Sequence, residues 1–425
     1  MKIFIENDPV FFPEIKYTFS IFALNKGLAI EFVNSSEIAD LLVMSTASSG
    51  LLISKEFFLK LAERKVSQFE IFKSKVLVNN LDGSPDYLST CFYLLSCCQE
   101  LDVSTLDQFG RFPFQDSLQN RFNCVQENLV QVYFDKLFEQ LKLKSNIVKS
   151  TSRIFLSHDI DSIHGSLLQD GFYTARNFHF RQFAKVVFTN LLSDPLWFNI
   201  DRIMKIESDY EFKSTFFWLV NKGKVDGLMS NSDYNISEKK ISNTIINVEK
   251  KGWENGLHKS ASNDSFDGEL KKMPAKVIAN RYHYLKFNPH LDFKLIEKAG
   301  IKLDSSLGYV ETFGFRNNFA SPIRPFNFDE RRSFEFIEVP LNVMDTTFFN
   351  YLKVSAIEFA NTSIDFFEQN KEGNILSLLI HNNFVSDYKY SKYLEGFKKI
   401  LAYFYESKFT SINQSEILKE YYHEY

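Results

Sequence analysis

Apolar positions change their rhythm along this chain. Up to about residue 75 they come in short runs, KIFI at Lys2–Ile5, LAIEFV at Leu28–Val33 and DLLVMS at Asp40–Ser45, followed by the amphipathic KEFFLKLAERKVSQF at Lys55–Phe69. The runs read as strands and the amphipathic stretch as a helix, which predicts a small α/β module. The strongly apolar DYLSTCFYLLSCCQEL at Asp86–Leu101 predicts a helix capped by Ser84 or Asp86. Gly110 and Pro113 in DQFGRFPF interrupt the pattern, and the Phe residues there read as a staple onto a neighbouring domain. VQVYFDKLFEQLKLK at Val130–Lys144 predicts a further helix, and the polar KSNIVKSTS after it marks a boundary near residue 150.

Beyond that boundary the pattern becomes strand, loop, helix, repeated. Candidate strands are IFLS, KSTFFWLV, ENGLH, IKLDSS, FIEVPL, ILSLLI and KFTSIN, beginning at Ile154, Lys213, Glu254, Ile301, Phe336, Ile375 and Lys408. Helical stretches separate them at Phe180–Ser193, Ser237–Gly252, Leu291–Gly300, Lys353–Gln369 and Tyr393–Ser407, with Gly252 and Gly300 placed as C-terminal caps. Strands alternating with helices predict parallel pairing in an open sheet or a distorted barrel, whose chemistry collects at the C-terminal strand ends.

Composition narrows the class. With 425 residues, 44% hydrophobic and 24% charged, the chain suits two or three folded domains. A net charge of −4 with scattered Lys and Arg advertises no nucleic-acid surface. MKIFIENDPVFF lacks the apolar run of a signal peptide and no stretch approaches a membrane span, so a cytoplasmic protein is expected. Cys91, Cys97, Cys98 and Cys124 form no CxxC pair and read as reduced structural thiols.

The candidate chemistry lies at the predicted strand ends. RIFLSHDID, Arg153–Asp161, ends in two acids at spacing two, so an extended backbone points Asp159 and Asp161 to one side. Such acids repel unless a cation or shared proton separates them, the bland alternative being a strand running into an Asp-rich turn. GLH, RYH and LLIHNN bring His258, Arg281 with His283, and His381 to further strand ends. Single histidines there would be ordinary hydrogen-bonded residues. Three of them with an Asp-x-Asp point to a divalent metal, with Zn²⁺ best suited to these donors and Mn, Fe, Co or Ni compatible.

At these motifs the chain resembles the polysaccharide deacetylases of the NodB-homology type over about residues 153–425. It is more closely similar to a bacterial two-domain subgroup with a GRFP segment in the N-terminal domain, followed by HDxD, GLH, RxHYL, DSSLGY, GFR and HNN. The resemblance implies an α/β fold: an N-terminal α/β accessory domain, residues 1–150, before a distorted (β/α) barrel, residues 151–425. It implies Asp159 as base, Asp161 as metal ligand, Arg281 as the partner of the base, Asp304 as the acid orienting the catalytic histidine, and His381 as general acid. Ser262 stands where the family's second metal histidine belongs, so His258 and His283 are expected to complete the site with Asp161. Arg316 of GFR is expected to bind substrate or to form a structural salt bridge, and Tyr309 to stack on a sugar or pack in the core. The implied activity is metal-dependent removal of an N-acetyl group from a saccharide or its precursor. The alternative is a catalytically weakened barrel that binds a glycan intermediate or a protein partner in envelope-polysaccharide synthesis.

Overall fold

The computed structural model describes residues 1–46, 50–63, 75, 78–101, 103, 105–144, 151–225 and 229–421. The end of the Lys55–Phe69 stretch and most of the polar boundary segment lie outside them. The first half holds a four-stranded parallel sheet, ordered β2 (Glu31–Phe32), β1 (Lys2–Ile5), β3 (Leu41–Met44) and β4 (Leu51–Leu52). Its helices include Phe12–Asn25, Tyr87–Leu95 and Leu129–Gln140. Asp86 supplies the cap of the second, Oδ1 accepting from Ser89 N at 2.9 Å.

The second half is a curled sheet in which every pairing is parallel. β5 (Arg153–Ile160), β6 (Thr215–Leu219), β7 (Glu254–Lys259), β8 (Ala279–Tyr282) and β9 (Leu303–Asp304) pair in sequence. A short antiparallel hairpin, β10 (Phe326–Asn327) with β11 (Arg332–Ser333), precedes β12 (Ile337–Glu338), which pairs β9. On the other side of β5 lie β14 (Ile375–Leu379) and then β13 (Val343–Met344), while β15 (Thr410–Ser411) pairs the start of β5. The edge strands β12 and β13 are thus joined directly by residues 339–342. So short a link, at about 3.3–3.6 Å per residue, holds the two edges close and makes the sheet a distorted barrel. Gly252 and Gly300 close their helices at φ +85° and +73°, as their spacing predicts.

Strand alternation sorts the side chains into three levels. Ile154, Leu156 and Ile160 of β5 belong to the core shared with the surrounding helices, and Phe155 joins Phe217, Ala279, Leu303, Ile337 and Ile375 in an inner apolar plug. Continuing that inner face upward gives Ser157, Asp159 and Asp161. His158, of opposite parity, turns outward, where Nε2 lies 2.7 Å from Glu207 Oε1.

The two halves interlock. Phe319, Ile323 and Phe326 of the second half are buried in the core of the first, Phe326 standing 5.1 Å from the rings of both Tyr17 and Phe92. The four cysteines are buried and unpaired, as expected. Among the described residues no helix is long and apolar enough to cross a membrane.

Candidate metal centre

Three strand ends deliver the candidate ligands to one point above the apolar plug. Asp161 follows β5, His258 lies in β7 and His283 follows β8, and their ligating atoms all fall within 4.8 Å of one another. His258 Nδ1 donates to Arg281 O at 2.9 Å, which fixes the tautomer and leaves Nε2 with a free lone pair. That Nε2 stands 3.3 Å from Asp161 Oδ1 and 3.5 Å from Asp159 Oδ2. His283 Nε2 is 3.7 Å from Asp161 Oδ2. Asp161 Oδ1 and His283 Nδ1 are buried without a hydrogen-bond partner among the described residues, a costly arrangement for polar atoms. One carboxylate and two imidazoles with unused lone pairs fit a divalent cation.

In the metal-free cluster the electrostatics favour an ionised carboxyl and one neutral imidazole, and a bound cation would displace the proton that the acids draw to the other. Burial works to raise the Asp161 carboxyl, but His283, His258 and His381 outweigh it and hold the group well below the usual carboxylate range. Burial lowers His283 to about 4, so it is neutral. For His258 burial is opposed and overcome by Asp159 and Asp161, which raise it.

Two further groups flank these ligands. Arg281, fully buried 4.5 Å from the Phe217 ring, donates from Nη1 to Asp159 Oδ1 and Ser157 Oγ, both at 2.9 Å. Its Nε and Nη2 are held by Ser305 O and Oγ at 2.8 and 2.9 Å, so Asp159 is fixed while Oδ2 faces the site. On the other side, His381 Nε2 lies 3.6 Å from Asp161 Oδ2, and its Nδ1 is 2.7 Å from Asp345 Oδ1. Burial acts against protonation of His381, yet Asp345 prevails and raises it to about 10.

One expected role, that of Asp304, is corrected, and for Arg316 and Tyr309 the structural alternative holds. The carboxylate that orients His381 is Asp345, which also accepts from its backbone N at 2.7 Å. Asp304 has the wrong parity for this: Leu303 takes the inward position, and Asp304 is bonded to Asn280 Nδ2 at 2.7 Å and to Glu338. Burial pushes both carboxyls up, and their mutual repulsion makes the Asp304–Glu338 pair share a proton. Arg316 and Tyr309 do not line the site but seal the junction of the halves. Arg316 is 2% exposed and grips Glu100 through two bonds of 2.9 and 2.6 Å, while the Tyr309 hydroxyl reaches Gln119 Oε1 at 3.1 Å.

Sequence reasoning missed Asp345, although LNVMD repeats the signal that drew attention to Asp159, an apolar run ending in an acid. It also missed Tyr284. That residue, at φ +61°, lays its ring 4.0 Å from His283 and 5.7 Å from Phe109, and its carbonyl accepts from Arg111 Nη1 at 3.0 Å. The GRFP loop therefore packs on the barrel, as its apolar residues predict, and reaches the neighbour of a candidate ligand. Ser262 sits in a separate polar cluster, 2.5 Å from Ser260 Oγ and 3.0 Å from Asn221 Nδ2.

Residues 3–146 match a family described as a family of unknown function, DUF7033. No curated protein matches the chain. Among solved structures, a candidate polysaccharide deacetylase from Mycobacterium smegmatis is 12% identical over 64% of this chain and 90% of its own, with a TM-score of 0.40. A 4-alpha-glucanotransferase from Thermococcus litoralis is 9% identical over 63% of this chain and 38% of its own, with a TM-score of 0.37. BA3943 from Bacillus anthracis, described as a CE4 family pseudoenzyme, is 12% identical over 66% of this chain and 72% of its own, with a TM-score of 0.28.

Proposed function

We propose that this chain is a metal-dependent hydrolase that removes an N-acetyl group from a saccharide or saccharide precursor. The observation that carries the reading is the convergence of Asp161, His258 and His283 between an Arg-held carboxylate and an Asp-held imidazole. Bound by those three side chains, a divalent cation, Zn²⁺ by the preference of this donor set, would supply Lewis acidity to the amide carbonyl.

The chain's own residues do the rest. Asp159, held at Oδ1 by Arg281, keeps Oδ2 for a water proton. His381, held protonated by Asp345 near neutral pH, donates to the departing amine from the opposite side. Each acid–base group is worth roughly 10²- to 10⁴-fold in rate.

The test is acetate release from a panel of N-acetylated sugars and nucleotide sugars, with metal added back and bound metal measured in parallel. Asp159→Asn should abolish turnover with metal content unchanged, and His381→Ala should chiefly lower kcat. Turnover that survives Asp159→Asn would overturn the mechanism.

One observation favours a second reading. Ser262 is committed to the Ser260–Asn221 cluster, where the resemblance calls for a histidine. A chain that holds no metal and releases no acetate, yet binds acetamido sugars, would be a weakened barrel serving as a glycan-binding protein.

A further inference from the structure

The connection between β5 and β6 carries a helical hairpin, Ser166–Arg176 and Phe180–Leu192, that buries little of its apolar surface. Leu168, Phe172, Phe178, Phe180, Phe188 and Leu192 are each between 62% and 79% exposed. In the second helix Phe180, Ala184, Phe188 and Leu191 follow helical spacing and form one stripe, and Val186 is its one fully buried apolar side chain. Single exposed apolar residues need no explanation, but a contiguous set on one element marks a contact surface.

The hairpin is a fixed platform. Buried Asp170 accepts from Trp197 Nε1 at 2.9 Å, Ser386 Oγ at 3.0 Å and Lys389 N at 3.1 Å. Ser166 Oγ donates to Asn190 Oδ1 at 2.6 Å, joining the two helices. At the tip, Phe178 is held at φ +58° with its ring in solvent, an unusual setting for a bulky residue.

Charge identifies the occupant. The hairpin carries Arg176, Arg181 and Lys185, and its single carboxylate, Asp170, is buried and engaged. The chain as a whole is acidic, at −4, so this cationic segment stands against the overall balance. A second copy would bring like charges and no accessible carboxylate to one interface, which disfavours self-association. Phe and Leu bordered by Arg and Lys are the composition of helices that lie in the interfacial region of a bilayer.

We propose that the hairpin Ser166–Leu192 docks this protein onto an anionic lipid surface, with its Phe and Leu side chains at the headgroup boundary and Arg176, Arg181 and Lys185 against lipid phosphates. The hairpin leaves β5 just after Asp161, so docking brings the candidate metal centre's end of the barrel toward the bilayer. The proposal does not depend on any catalytic reading of that centre.

The experiment is co-sedimentation of the full chain with phosphatidylcholine vesicles, with and without phosphatidylglycerol as a third of the lipid. Wild type should pellet with the anionic vesicles, less so at high salt. Arg181→Gln with Lys185→Gln should weaken that partition about 25-fold. Phe180→Ser with Phe188→Ser should weaken it at least about tenfold, with an unchanged thermal melt because both rings are exposed. Wild type left in the supernatant, or both double variants pelleting as wild type does, would overturn the proposal. So would sedimentation velocity showing a dimer that the Phe substitutions dissociate, since a second copy would then be the occupant.

Discussion

Glu100→Gln is expected to destabilise the protein by about 3–5 kcal/mol, the cost of breaking one partner out of a buried ion pair. Glu100 is 2% exposed, and Arg316 also donates from Nη1 to Gly308 O at 3.0 Å while lying 5.0 Å from the Phe287 ring. The substitution preserves shape but leaves the guanidinium charged, buried and facing an amide. Such a loss is a large part of the roughly 5–15 kcal/mol that holds a domain folded. Equilibrium urea unfolding measures it directly: the midpoint should fall with an unchanged slope. The double variant Glu100→Gln with Arg316→Met should recover much of the loss, because apolar replacement of a buried pair is often neutral. A loss below about 1 kcal/mol, the range of a surface pair, would refute the reasoning, as would strict additivity in the double-mutant cycle.

Asp345→Asn should lower the His381 pKa from about 10, read as an earlier NMR titration of its ring in the metal-free chain, and should reduce kcat more than KM. Because the folded-state pKa is raised, the stability from this pair is fully present below about pH 6.5 and is lost as pH rises through about 10, a dependence that Asp345→Asn should flatten in thermal melts. At Gly256 an added Cβ would meet the Phe217 ring carbons at 2.5 Å, so Gly256→Ala should cost about 1–3 kcal/mol by denaturant unfolding. Phe109→Ala, which removes the outer ring of the Phe109–Tyr284–His283 stack, should weaken metal binding severalfold by calorimetry while leaving the far-UV circular dichroism unchanged.

The long apolar strands were legible from sequence. β5, β6 and β14 each contain a short apolar run bounded by polar residues, the mark of a buried strand, whereas β7, ENGLHK, offers only Leu257 and showed itself through the Gly256–His258 motif. β8 was legible only through the RYH motif at its end and not as a run, because ANRY places Asn280 and Arg281, both fully buried, where apolar residues would signal a strand. Their burial depends on partners from distant strands, Asp304 for one and Asp159 for the other. β13, at two residues, left only the brief LNVMD signal, with Asn342 interrupting its apolar run. Asp304 was misassigned because a single register step separates the inner face of β9 from its outer face. For Arg316 and Tyr309 the sequence left ligand binding and a structural role side by side, and only Glu100 and Gln119, remote in sequence, decide for the structural one.

The insertion of Phe319, Ile323 and Phe326 into the core of the first half has a consequence for synthesis. A ribosome that has just released the first 150 residues holds a module whose core still lacks three of its apolar side chains. The last of these follows only after about 175 more residues, which takes roughly 10–35 s at about 5–20 residues per second. Throughout that interval the sites for these residues among Tyr17, Phe92 and Phe134 stay unfilled. The nascent N-terminal half therefore keeps part of its apolar core open to solvent until most of the barrel has been translated.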